Sequence, residues 1–593
     1  MQDQPAVKVE QLTYTYDKAQ APSLDQIQLE IRRGSFIAVM GETGAGKTSL
    51  LMTLNGLIPQ FLEGEFHGEV TIAGYSTQQV PVQNLIQEIG LVLQDPDTQI
   101  FGLTVWEDAA FGPSNLGVPL DEIHRRVDTA LERVGLAHFH ERSTEFLSGG
   151  EKQRLAVAGV LAIGPSILAL DEPTSELDPE GKDAIFEIVD SLKHEHGMTI
   201  ILAEHESERV LAHADAVVVL QEGKIVWRGE PQMLFADEES VRRFQLRPPG
   251  IATLFWEFRK QGIGLGDACP RTVQEMAARL LANEQKEQGR AVDREGHEPF
   301  LAAAQFDAAA VGERRDEAPI LSINNLTHTY HNGHQALKGI DLDVYAGDYI
   351  AIIGQNGAGK STLCKHFNRL LTPTGGSILF QGESIAGKDT ADLARHIGYV
   401  FQNPDHQIFS ASVLEEVMYG LRIQGFSESE QKEKALEVLA FVGLDAYSER
   451  HPFSLGKGLR QRLAVATILA LEPQILIIDE PTTGQDWRGT QSMLELIGKL
   501  HERGHTIILI THNMQIVTEH AKRVLIMGQG RILKDCKPWH AFEDPAILKA
   551  ANIKPTQLVQ LESELAAMSG FVPQPGGERA LVKAIVKGMG RDA

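Results

Sequence analysis

The sequence predicts an α/β fold repeated in tandem. Each of the two units has a largely parallel sheet, a small antiparallel β subdomain, a helical subdomain and a helical C-terminal appendage. Three observations predict it. First, one pattern of apolar run, glycine-rich loop and helix occurs twice: Gly41-Glu42-Thr43-Gly44-Ala45-Gly46-Lys47-Thr48 follows the run 36–40, and Gly354-Gln355-Asn356-Gly357-Ala358-Gly359-Lys360-Ser361 follows 349–353. Second, strand-length apolar runs alternate with helical stretches through both halves, the pattern of a parallel sheet covered by helices. Third, the halves hold one register. Lys47 and Lys360 lie 313 residues apart, Gln94 and Gln402 as well as Asp171 and Asp479 lie 308 apart, and His205 and His512 lie 307 apart. Unrelated domains would not keep such a spacing, so the chain is a duplication.

Taken in order, residues 7–34 alternate apolar and polar positions and end in a turn at Arg33-Gly34, which reads as antiparallel strands; 320–347 is the second copy. The first half carries extra residues around 59–67, which account for the change of offset after the glycine-rich loop. The run 89–94 reads as a strand ending on Gln94, and a helix-rich region extends from there to about Leu161. Runs 167–171 and 199–202 read as buried strands, and 217–220 with 225–227 as a closing hairpin over Glu222-Gly223. Arg247-Pro248-Pro249 introduces an amphipathic helix, and Lys554-Pro555-Thr556 answers it in the second half. The expected division is 1–232 and 319–540 for the two repeated α/β domains, 233–282 and 541–593 for their appendages, and 283–318 for a linker without clear periodicity.

The length of 593 residues exceeds what one core supports. With 55 basic against 80 acidic residues the net charge is −25, which argues against a nucleic-acid partner. Cys269, Cys364 and Cys536 are far apart, so neither a metal cluster nor a disulfide framework is expected. The N-terminus lacks a signal-peptide pattern, and no apolar run approaches the ~18–20 residues that span a bilayer. A soluble chain is expected, with any membrane role exerted through partners.

The repeated loop has the G-x-x-x-x-G-K-[ST] spacing of a phosphate cradle. Gly41, Gly44 and Gly46, like Gly354, Gly357 and Gly359, let backbone N–H groups converge on a phosphate, aided by the helix N-terminus. Lys47 and Lys360 are expected to reach the β/γ phosphates of ATP. Thr48 and Ser361 would place hydroxyls on Mg²⁺, with Ser49 and Thr362 next in line. Each half then has an apolar strand ending in two carboxylates, Asp171-Glu172 and Asp479-Glu480. The aspartate is expected in the Mg²⁺ shell and the glutamate on the attacking water.

Between these elements, Leu147-Ser148-Gly149-Gly150-Glu151 resembles the signature of ABC transporter ATP-binding subunits. The resemblance implies head-to-tail pairing of the two halves, each ATP lying between one half's phosphate loop and the other's signature: Ser148, Gly149 and Gly150 from the first, Gly456 and Gly458 from the second. It places His205 and His512 as switch histidines near the γ-phosphate. It makes Gln94 and Gln402 catalytic Q-loop glutamines that also join the Mg²⁺ shell. Tyr16 and Tyr330 are expected as adenine platforms, Tyr14 being the alternative in the first half, and Asp178 and Asp486 as D-loop aspartates. A narrower resemblance lies in Gln94-Asp95-Pro96-Asp97-Thr98-Gln99-Ile100-Phe101 and Gln402-Asn403-Pro404-Asp405-His406-Gln407-Ile408-Phe409, which look like the Q-loops of energy-coupling factor (ECF) ATPases. By that likeness the chain is a fused, ATP-hydrolysing subunit of an importer for a vitamin, a vitamin precursor or a transition-metal ion. It would be peripheral on the cytoplasmic side of the cell membrane, with an integral scaffold (T-type) subunit and a small substrate-binding (S-type) subunit as partners. The rival readings are a twin-domain ATPase acting on the ribosome and the fused ATPase of a sugar importer.

The pattern breaks at the second signature, Leu455-Gly456-Lys457-Gly458, which lacks the serine. A hydrogen bond to a charged group is worth ~1.5–3 kcal/mol, so unequal turnover at the two sites is expected. The second D-loop also departs, with Gln485 where the first has Leu177.

Overall fold

The computed structural model describes residues 4–175, 177–288, 318–569, 581–583 and 585. Contacts divide the chain into two units, Met1–Asp293 and Arg294–Asp592. In the first, a six-stranded sheet runs in the order Lys224–Gly229, Ala216–Gln221, Phe36–Met40, Thr199–Ala203, Ile167–Asp171, Ile89–Val92. All neighbours are parallel except the terminal hairpin. Every residue of Phe36–Met40, Ile167–Asp171 and Thr199–Ala203 is buried, as strands covered on both faces must be. The second unit repeats the order with Arg531–Cys536, Arg523–Gly528, Tyr349–Ile353, Thr506–Ile510, Ile475–Asp479 and Ile397–Val400.

A four-stranded antiparallel sheet lies in each unit, ordered Leu24–Ile31, Val7–Tyr16, Gly64–Ile72, Tyr75–Ser76 in the first. The extra residues of the first half fall on the helical turn Leu57–Gln60 and on the start of Gly64–Ile72, whose Gly64, Glu65 and Phe66 pair with Tyr16, Thr15 and Tyr14. The corresponding strand of the second unit, Gly375–Phe380, is shorter. The helical subdomains are Val105–Asn115, Leu120–Arg133 and Gly149–Ile163, and Val413–Ile423, Glu428–Val442 and Lys457–Leu469. Local chemistry fixes their ends: Thr104 with Glu107 and Ser148 with Glu151 form capping boxes, and Gly164 and Gly443 close helices in the left-handed region.

Two sequence boundaries are corrected. The strand expected over 89–94 stops at Val92, because Leu93 N donates to the side chain of Gln99 at 2.7 Å instead of continuing the ladder, and Gln94 lies in the loop. The helix Val273–Gln288 runs past the expected linker boundary at 283, since its apolar positions Val273, Met276, Ala277 and Leu280 are buried and carry the helix forward. Residues 289–317 of the expected linker lie outside the described residues. The appendage helix Gly250–Lys260 buries Ile251, Leu254, Phe255 and Phe258, and Trp256 donates to the Phe235 carbonyl at 2.9 Å.

In the second appendage, burial pushes the carboxyl of Glu562, on helix Gln557–Ser569, up to about 7. A raised carboxyl pKa means the folded chain binds more protons than the unfolded one between the ordinary carboxylate value and 7, so stability falls as pH rises through that window. Glu562→Gln is therefore expected to raise the melting temperature at pH 8 and leave it nearly unchanged at pH 5. Thermal unfolding at both values checks it.

Candidate nucleotide sites

In each unit the loop between the first buried strand and its helix wraps a lysine in its own carbonyls. Lys47 Nζ donates to Gly41 O at 3.0 Å and Glu42 O at 3.2 Å; Lys360 Nζ donates to Gly354 O at 2.7 Å and Gln355 O at 3.0 Å. Gly41 and Gly354 have φ of 147° and 148°, and a Cβ on either would lie 2.2 Å from a backbone oxygen, of Leu220 or Met527. Only glycine fits there. At Gly44 and Gly357, by contrast, a Cβ would meet nothing within 4 Å, although φ is again positive. The loop is packed on its strand side and open where a phosphate would enter.

Behind the loop stand the paired carboxylates. Asp171 and Asp479 end buried strands, and their residual exposures are only 4% and 5%. Burial pushes both carboxyls up, opposed by the neighbouring loop hydroxyls of Thr48 and Ser361 and, at Asp479, by a hydrogen bond from the Tyr399 hydroxyl. One oxygen of each, Oδ1, is buried without a hydrogen-bond partner. A buried carboxylate oxygen without a partner is costly, and a divalent cation held beside the loop hydroxyl would satisfy it. The residues fit Mg²⁺.

Glu172 and Glu480 follow with φ of 45° and 48°, a left-handed backbone in non-glycine residues. Their N–H groups still complete the sheet by donating to Ala203 O and Ile510 O, both at 2.9 Å. The strained turn thus redirects the side chain without breaking the ladder, the kind of outlier that clusters at functional sites. Glu172 Oε1 lies 2.8 Å from His205 Nε2 and 3.1 Å from Lys47 Nζ. Burial raises its carboxyl, but the His205 hydrogen bond and the His205 and Lys47 charges outweigh this and hold it well below the usual range. In the second site, Glu480 Oε1 meets His512 through Nδ1 at 2.9 Å. The two histidines engage through different ring nitrogens.

The turns that carry these histidines are built differently. Buried Glu204 accepts from the N–H groups of His205 at 2.9 Å and Glu206 at 3.2 Å and from the Thr174 hydroxyl at 2.8 Å. Glu206 is held ionised against its burial by Lys182, Arg247 and Arg209, with Lys182 Nζ at 2.5 Å. In the second half Thr511 and Asn513 replace both acids and serve as local caps.

Tyr16 and Tyr330 stand at the loops. Tyr16 Oη lies 3.0 Å from Ser49 Oγ, and Tyr330 Oη 2.9 Å from Thr362 Oγ1. Tyr14, the alternative, is fully buried with its hydroxyl on the carbonyls of Leu62 and Glu63, so it is a packing residue. Gln94 is exposed and donates to Ser175 Oγ at 3.4 Å, and Gln402 is exposed as well. The loops that follow Val92 and Val400 leave both side chains exposed.

Ser148 caps the helix Gly149–Ile163, its hydroxyl accepting from Glu151 N at 3.3 Å. Gly456 caps Lys457–Leu469 without a side chain, and the Lys457 ammonium lies over Gly484, where a Cβ would meet it at 2.8 Å. Asp178 and Asp486 cap the helices Pro179–His196 and Trp487–Glu502.

The Q-loop blocks have a shared construction. Asp95 and Asn403 cap one turn, accepting from Asp97 N and Asp405 N at 3.0 Å. Asp108 Oδ1 accepts from the N–H groups of Phe101 and Gly102, and Glu416 Oε2 from those of Phe409 and Ser410. Each block is tied to its own signature helix by an ion pair, Asp97 to Lys152 at 2.5 Å and Asp405 to Arg460 at 2.7 Å. Sequence reasoning missed these pairs, although both keep the 308-residue register.

Comparison with known proteins identifies the family. The ABC transporter family model matches residues 24–175 and 337–483. A provisionally named ABC transporter ATP-binding protein of Caldanaerobacter subterraneus subsp. tengcongensis is 39% identical over 559 residues, 94% of this chain and 96% of its own. The chain belongs to the ABC transporter family. It is an ATPase with two tandem ABC domains. A provisionally named ABC transporter ATP-binding protein of Methanosarcina acetivorans is also 39% identical, over 96% of this chain and 92% of its own. Among solved structures, cbiO1 of Clostridium perfringens, described as part of the ABC transporter complex cbiONQ, is 36% identical. It covers 40% of this ABC protein and 95% of its own chain, with a TM-score of 0.36. Among the described residues of the ABC chain, no helix is long and apolar enough to cross a membrane.

Proposed function

We propose that this ABC ATPase is the energy-coupling subunit of an ECF-type importer for a vitamin, a vitamin precursor or a transition-metal ion. It would work as a peripheral protein on the cytoplasmic side of the cell membrane, against a T-type scaffold and a small S-type substrate-binding subunit. The observation that carries this reading is the twin Q-loop block with its exposed aromatic face. Phe101 is 68% exposed and its ring lies 5.6 Å from that of Phe111, with Leu103 exposed beside them. Phe409 is 61% exposed and meets Tyr419 edge-on at 4.6 Å, with Ile423 exposed on the same helix. Apolar groups that a capped, hydrogen-bonded loop holds in solvent fit a partner surface, here the coupling helices of the scaffold. The ion pairs Asp97–Lys152 and Asp405–Arg460 give a docked helix a direct mechanical link to the signature helices.

In the chemistry we propose, the backbone cradles at Gly41–Thr48 and Gly354–Ser361 bind the ATP phosphates, while Lys47 and Lys360 leave the loop carbonyls to meet the β/γ oxygens. Tyr16 and Tyr330 stack on adenine. Thr48 with Asp171, and Ser361 with Asp479, would hold Mg²⁺, which when bound would offset negative charge on the phosphates. Glu172 and Glu480 accept a proton from the attacking water. His205 and His512, already on those carboxylates, fix their orientation and face the departing γ-phosphate. The halves pair head to tail, so that Ser148–Gly150 completes the Lys360 site and Gly456–Gly458 the Lys47 site. ATP binding closes the pair, and phosphate release reopens it.

The experiment is a change at the aromatic face. Phe101→Asp with Phe409→Asp is expected to shift the chain from the membrane fraction to the supernatant on sedimentation, with the ATPase rate of the purified chain kept. Unchanged sedimentation with membranes would overturn the docking assignment.

A further inference from the structure

The two metal-holding carboxylates are anchored differently, and the difference traces to one residue. Tyr399 lies in the strand Ile397–Val400, opposite Ile477 of the neighbouring strand, and is 3% exposed. Its hydroxyl donates to Asp479 Oδ2 at 2.7 Å. The Ser361 hydroxyl, beside both groups, also helps hold the Asp479 carboxyl down against its burial. The other carboxylate oxygen, Asp479 Oδ1, is buried without a hydrogen-bond partner. In the first half the same register position, opposite Ala169, is Leu91, which offers Asp171 no hydroxyl.

We propose that Tyr399 is a positioning residue for the metal site of the second half, a part that the first half lacks. The proposal rests on the nucleotide-site reading above. A carboxylate pinned through Oδ2 by a short, charge-assisted bond presents Oδ1 in one orientation. Partners of this kind, behind the ligand rather than on the metal, set ligand orientation, and their loss costs roughly 10–100-fold in metal affinity. Removing the phenol oxygen would also leave Asp479 Oδ2 buried with one partner fewer. The apolar residue at the same place in the first half shows that the sheet does not need a tyrosine there for packing. What the tyrosine adds over leucine is a hydroxyl on the carboxylate, and it adds it at the site that the intact signature is proposed to complete.

The test uses the full chain carrying Lys47→Ala, so that the second site dominates, with a non-hydrolysable ATP analogue and Mn²⁺ followed by electron paramagnetic resonance. Tyr399→Phe is expected to weaken Mn²⁺ binding about 10-fold while affinity for the analogue in EDTA stays the same. Conversely, Leu91→Tyr in the chain carrying Lys360→Ala is expected to tighten Mn²⁺ at the first site, and it gives an independent answer if Tyr399→Phe does not fold. Unchanged Mn²⁺ affinity with a lowered melting temperature would overturn the proposal and leave Tyr399 a packing residue. Should the Lys47→Ala chain bind no Mn²⁺ with the analogue, the site reading itself fails and takes this inference with it.

Discussion

Glu480→Gln is expected to leave about a tenth or less of the ATPase activity of the full chain, and Glu172→Gln to leave most of it. The two glutamates share a left-handed backbone, a sheet hydrogen bond and a histidine partner. Each half supplies its own glutamate and histidine, so the largest difference is expected from the signature that completes each site. In the proposed pairing the Glu480 site receives Ser148, while the Glu172 site receives Gly456, which caps its helix with no hydroxyl. Glycine is a tolerated cap, so the fold survives the change, but the donor to the γ-phosphate is gone. One lost hydrogen bond to a charged group, ~1.5–3 kcal/mol, corresponds to a rate factor of roughly 10–150. The loss of a general base costs about 10²–10⁴ at its own site, so the faster site governs the total. Steady-state ATPase assays of the two single variants check this, and equal losses would contradict it.

The second large effect is on the phosphate loops. Gly41→Ala and Gly354→Ala are each expected to abolish nucleotide binding at their site and to lower the melting temperature of their unit. A Cβ at either position meets a backbone oxygen at 2.2 Å, and backbone in a central sheet has nowhere to retreat. Overpacking of this kind costs about 1–3 kcal/mol and the left-handed strain about 1–3 kcal/mol more. For a unit of this size that corresponds to a drop of roughly 10 °C. Gly44→Ala and Gly357→Ala carry only the strain, since a Cβ there meets nothing, and should shift the melting temperature by a few degrees at most. Calorimetry with and without ATP separates the two pairs.

Much of this architecture was legible in the sequence because burial leaves a mark on composition. Runs such as 167–171 and 475–479 are apolar up to the carboxylates because both faces of those strands are covered. The duplication added a second reading of every landmark, so Lys47, Asp171, Glu172 and His205 could be checked against Lys360, Asp479, Glu480 and His512. The contacts that depend on side-chain direction were not legible. Tyr399 reads as one more apolar strand residue until its hydroxyl is seen on Asp479. Asp97 and Lys152 are 55 residues apart and carry no local pattern, and only their repetition as Asp405 and Arg460 could have exposed them. The strand before Gln94 was read two residues too long because Leu93 is apolar, whereas its N–H is taken by the Gln99 side chain. The choice between Tyr14 and Tyr16 turned on which hydroxyl faces the loop, which alternation alone does not decide.

In the proposed function this ATPase drives a membrane importer through its two Q-loop faces. The most direct measurement is to purify the chain gently from detergent-solubilised membranes and identify by mass spectrometry what accompanies it. A polytopic scaffold and a second, small membrane subunit are expected, both lost when Phe101 and Phe409 are changed to aspartate. Recovery of the chain with ribosomes and without a membrane protein would contradict it.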